Sequence, residues 1–80
     1  MKPDEARLLL IKNYNDRTFS TTGWYYPKIG FYTFEYTLND SIFTPFNNVL
    51  AVNEKTKKIQ PFQLAVFTRE ELAGAKEVEV

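Results

Sequence analysis

Any chemistry in this chain would have to run on hydroxyls and carboxylates, because its 80 residues include neither histidine nor cysteine. With no imidazole to take a proton, Ser20 and Ser41 lack the usual activating base, and both sit in polar connecting stretches where serine serves turns. Two carboxylates can divide acid and base work between them. Asp4-Glu5 and Glu70-Glu71 are such pairs, yet each stands where a helix is expected to start, and the positive end of the helix dipole accounts for acids there. Glu35 is the one acid inside an aromatic strand. It falls on the face opposite Tyr32, Phe34 and Tyr36, which places it toward solvent or at one edge of a groove. The three glycines are scattered and form no phosphate-cradling loop, and no acidic run has calcium-loop spacing. Zinc, copper or iron would find no thiolate or imidazole. The sequence points away from an enzyme, with no catalytic residue, no metal and no cofactor expected.

What the chain offers instead is aromatic surface, concentrated in GWYYPKIGFYTFEYTL from Gly23 to Leu38. Aromatic strands can stack nucleic-acid bases, but such platforms need cations beside the rings, and this stretch carries only Lys28. Lys55, Lys57 and Lys58 cluster in what reads as a solvated hairpin tip, and ten basic residues cancel ten acidic ones, so no overall field draws the chain to nucleic acid or to an anionic membrane. Protein recognition suits the composition better, since Trp and Tyr give large contact areas at low entropic cost and interfaces disfavour Lys. Trp24, Tyr25, Tyr26, Phe31 and Tyr32 are the rings expected at such a surface, with Glu35 beside them. The partner is another protein. Alternatively it is a second copy, in a self-assembling accessory subunit of a phage or multiprotein particle whose sheet edges pair.

Elements to position these residues can be read from the pattern. A chain this short makes one domain, covering residues 1–80, and buries only roughly 60% of the surface it exposes when unfolded. PDEARLLLIKNYND opens with Pro and two acids, as helix starts do, and Ala6, Leu10 and Tyr14 share a stripe with Leu9 beside it; Leu8 and Ile11 point partly elsewhere, so a strand over residues 7–13 remains the alternative. After the polar stretch DRTFSTTG come two strands joined by a Pro-Lys-Ile-Gly bend. In the second, Tyr32, Phe34, Tyr36 and Leu38 form the core face, while Trp24, Tyr25 and Tyr26 run consecutively in the first, so at least one must point away from the others. Asn39-Asp40 reads as a turn, and Pro45 bars a central strand through SIFTPF. NNVLAVNEKTKKIQPFQLAVF reads as a hairpin whose second arm runs from Ile59 to Phe67 with Phe62, Leu64 and Val66 alternating. Thr68 and Glu71 then form a capping box for a short helix, and the closing VEV alternates like a strand or frays. The four-residue apolar run near the N-terminus is too short for a signal peptide or a membrane span, which suggests an intracellular, cytoplasmic protein.

Two stretches resemble a family of small bacterial proteins related to toxin-neutralising immunity proteins. GWYYPKIGFYTFEY is similar to the family's aromatic strand pair, and NNVLAVNEKTKKI to its strand-turn-strand signature, a pattern also shared by PepSY-like domains. Lys57 stands where that signature has Gly. The resemblance implies a helix packed on an antiparallel sheet and a non-enzymatic binder that inhibits a toxin or another enzyme. Taken together, the expected fold is α+β: an antiparallel sheet of about four strands, with an N-terminal helix and a short C-terminal helix covering one face.

Overall fold

Pro3 begins helix α1 (Pro3–Asn13), with Asp4 and Glu5 in its first turn and Lys12 in its last. The fold was obtained as a computed structural model that describes residues 1–43 and 47–80. Strands β1 (Arg17–Tyr26) and β2 (Phe31–Leu38) follow, then β3 (Val49–Asn53) and β4 (Ile59–Pro61). A turn of 3-10 helix at Leu64–Val66 leads to α2 (Arg69–Leu72) and to β5 (Lys76–Glu79). All strand pairs are antiparallel, in the order β4-β3-β2-β1-β5, so β2 lies at the centre and the closing residues pair with β1 as an edge strand. The architecture is α+β, with helix, sheet and short C-terminal helix as the pattern suggests.

One face of the sheet packs on α1. Tyr32, Phe34 and Tyr36 from β2, Leu50 and Val52 from β3 and Phe19 from β1 meet Ala6 and Leu10, the buried stripe of the helix. Leu8 and Ile11 are exposed on the helix's outer side, which settles helix over strand for residues 7–13. Each ring buried this way stabilises the fold by about 2–3 kcal/mol. Arg17 closes one end of this face. Its guanidinium holds Asp16 at 2.9 and 3.1 Å and lies over the rings of Tyr14 and Tyr36, 4.7 and 4.5 Å from their centroids.

The opposite face is covered only in part, by the C-terminal segment. Phe62 packs on Tyr26, Phe31 and Phe67, with Leu72 and Ala75 beside them. The two helices therefore sit on opposite faces rather than sharing one. β4 ends after three residues, at Pro61, because Phe62 turns its ring under the sheet toward Tyr26 and Phe31. Leu64 and Val66, which alternate like strand residues, lie in the 3-10 turn and are exposed. The capping box is present as read: Glu71 N–H donates to the Thr68 hydroxyl and Thr68 N–H to the Glu71 carboxylate. Ser41–Phe43 form no strand, and the expectation about Pro45 falls on residues 44–46, outside the described residues.

One irregularity shapes everything near the half-covered face. Phe19 pairs with Tyr36 and Gly23 with Phe34, so Ser20, Thr21 and Thr22 of β1 stand opposite Glu35 alone. A bulge of this kind bends its strand and re-aims side chains. Arg7 secures it from α1, its Nε and Nη2 donating to the carbonyls of Ser20 and Phe19 at 3.0 and 2.9 Å. Beside the bulge Gly23 is buried, and a Cβ there would collide with the Thr33 carbonyl oxygen and stand 2.7 Å from the Phe34 ring.

Candidate functional site

Where the C-terminal segment stops short, the sheet face opens into a groove of about 600 Å³. Its floor is Trp24 of β1, Thr33 and Glu35 of β2 and Val49 of β3; the bulge and Asn47 bound it on one side, Leu64 and Ala65 on another, and Glu77 of β5 closes the far margin. The register explains the set: Trp24 pairs with both Thr33 and Glu77, and Glu35 with Val49, which puts their side chains on one face. The floor is rigid. Thr33 is 3% exposed, and its hydroxyl donates to the Trp24 carbonyl at 3.4 Å. At the bulge, Thr22 N–H donates to the Ser20 hydroxyl, which is 3.1 Å from that of Thr22.

Of the aromatic residues expected at a surface, only Trp24 is substantially open, at 44% exposure. Tyr26, Phe31 and Tyr32 are buried, which corrects their expected exposure. Phe31 lies under Phe62 and Phe67, and Tyr26 forms an inner wall of the groove. Tyr25 and Tyr32 point to the α1 face, stacked with centroids 4.5 Å apart. Neither hydroxyl is free: Tyr25 donates to the Glu54 carboxylate at 2.8 Å and Tyr32 to the Met1 carbonyl at 2.8 Å. The hydrogen bond to Glu54 first, then desolvation, raises the Tyr25 pKa; desolvation chiefly raises those of Tyr26 and Tyr32. Glu35 is exposed at the groove. The structure thus brings Trp24, Tyr26 and Glu35 together and sends Tyr25 and Tyr32 to the other side.

Comparison with protein families, curated proteins and solved structures finds no match to this chain. The site must be judged on its own chemistry. Among the described residues, Glu35 and Glu77 are the only charged side chains in the lining. Two strand spacings and a two-residue offset set their Cα atoms about 12 Å apart. No cluster of three or more metal-binding side chains exists among the described residues, and no helix there is long and apolar enough to cross a membrane. What the groove offers is an indole plate, an apolar floor at Val49 and an apolar margin at Leu64, hydroxyls at Ser20 and Thr22, and acids at two corners. Ser20, Thr22, Leu64 and Glu77 join the site unannounced by local pattern. The alternation of the closing VEV hinted only at a strand there, which the structure has as β5.

Proposed function

We propose that this is a small, non-enzymatic, intracellular domain that binds another protein through the half-covered sheet face, in the manner of an immunity or inhibitor protein. The observation carrying this reading is Trp24, the single tryptophan, open beside an exposed Leu64 over a groove that the chain's own C-terminal segment leaves uncovered. Large aromatic anchors at the centre of a concave apolar patch supply most of the energy in protein interfaces. Pairing between copies along the β5 edge is less favoured. Antiparallel pairing with matching faces sets Glu77 against itself, Glu77 against Glu79, or Lys76 against itself, and like charges directly opposite destabilise a ladder.

Affinity capture from the native host's lysate, with mass spectrometry of what is retained, tests the reading. Trp24→Ala and Leu64→Ser should each lose the captured protein while circular dichroism stays native, and Leu8→Ser, on the outer side of α1, should keep it. Capture unchanged in both groove variants refutes the assignment. Light scattering that shows a stable oligomer at high concentration favours self-assembly instead.

A further inference from the structure

Resting on that reading, we infer that the groove takes an extended, basic segment of the partner, with two cationic side chains meeting Glu35 and Glu77 and an apolar side chain between them against Trp24. Charge carries the choice of occupant. Among the described residues, the lining holds two carboxylates and no Lys or Arg, and neither acid forms an ion pair. The arginines flanking the bulge are engaged on the other face, Arg7 with backbone carbonyls and Arg17 with Asp16 and two tyrosine rings. A partner that brought acids here would meet uncompensated repulsion in a confined, partly apolar cleft.

The spacing accommodates an extended segment. The acids stand about 12 Å apart, and in an extended segment residues four apart face the same way over about 13 Å. Trp24 lies on the strand between the two acid-bearing strands, so the residue midway between the cations faces the indole. Long alkyl stems of Lys or Arg can lie along Leu64 and Val49 while their heads reach the carboxylates.

Because Trp24 is the only tryptophan, its fluorescence reports occupancy directly. The probes are three nine-residue peptides of one Leu- and Ser-based sequence, carrying at the second and sixth positions Arg, Gln or Glu, titrated into the intact protein. The Arg peptide should give a saturable change in Trp24 emission that weakens as salt rises, and the Glu peptide none. Glu35→Gln and Glu77→Gln should each weaken the Arg peptide by about two- to fivefold and together by about tenfold, with Glu70→Gln, away from the groove, leaving it unchanged. Equal binding of the Arg and Gln peptides, or unchanged affinity in the double variant, overturns the basic occupant while leaving groove binding in place. No response from any of the three peptides up to millimolar concentration overturns the inference, and the lysate capture above then decides the underlying reading by itself.

Discussion

Replacing Gly23 by alanine sets two effects of opposite sign against each other. Gly23 is not among the glycines with positive φ, so alanine can adopt its backbone conformation, and the loss of freedom in the unfolded chain alone would stabilise the protein by about 0.4–1 kcal/mol. Against this, the added methyl would collide with the Thr33 carbonyl and stand 2.7–2.8 Å from two atoms of the Phe34 ring. The oxygen belongs to the central sheet backbone, and Phe34 is 1% exposed at the middle of the larger core, so neither can move cheaply. Overpacking of this kind costs about 1–3 kcal/mol, and two immobile neighbours put the cost at the upper end. The net loss is then about 2 kcal/mol, out of roughly 4–12 kcal/mol for a domain of this length. Thermal unfolding followed by Trp24 fluorescence and circular dichroism should show Tm falling by about 8–16 °C. Phe34→Leu should reduce the penalty, so that the double variant loses less than the sum of the two single ones. An unchanged or raised Tm in Gly23→Ala would show that the bulge is not packed against Phe34 as described.

Three further outcomes are expected. Lys57 holds φ at 62°, a conformation glycine adopts freely, so Lys57→Gly should raise stability by about 0.5–1 kcal/mol in urea unfolding, after the larger entropy of glycine is set against the relief of strain. Arg7→Ala removes two charge-assisted bonds to the bulge and should cost about 1–2 kcal/mol, with faster amide exchange at the bulge; Arg7→Lys should recover only part, since an ammonium lacks the fork that reaches both carbonyls. Tyr25, Tyr26 and Tyr32 have pKa values raised above the ordinary value near 10, so the folded state retains their protons more firmly than the unfolded chain. Their contribution is fully present below pH ~10 and is lost as pH rises through the folded values. Alkaline titration should therefore show part of the tyrosinate absorbance appearing only with unfolding, and ionisation of Tyr25, Tyr26 and Tyr32 near pH 10 in a still-folded protein would contradict it.

Local periodicity was enough to place Tyr32, Phe34 and Tyr36 in the core, because their strand is regular and one of its faces is covered along its length. It also placed Ala6 and Leu10 on the buried stripe of α1 and predicted the Thr68 cap, both of which depend on residues within a turn or two. The surface was harder to read. Period two assigns Trp24, Tyr25 and Tyr26 alternately to two faces, but which face stays open depends on Phe62 and Phe67, far along the chain, covering Tyr26 and Phe31 and not Trp24. Leu64 and Val66 misled for the same reason: their alternation fits a strand, while the burial of Phe62 draws the chain out of the sheet before they are reached. The bulge at Ser20–Thr22 carries polar residues suited to a loop and breaks the phase of β1, so the strand's first half resembled a connection. The groove exists only because these long-range events coincide.

Arg7 gives this small sheet a property its size would not suggest. A sheet is a single backbone thick, and the carbonyls that Arg7 grips from the helix side belong to Phe19 and Ser20, the latter a lining residue of the groove beyond. The position of α1 and the width of that opening are thus mechanically joined through one side chain. If the groove binds a partner as proposed, substitutions on the helix should tune how tightly it is held without ever touching it.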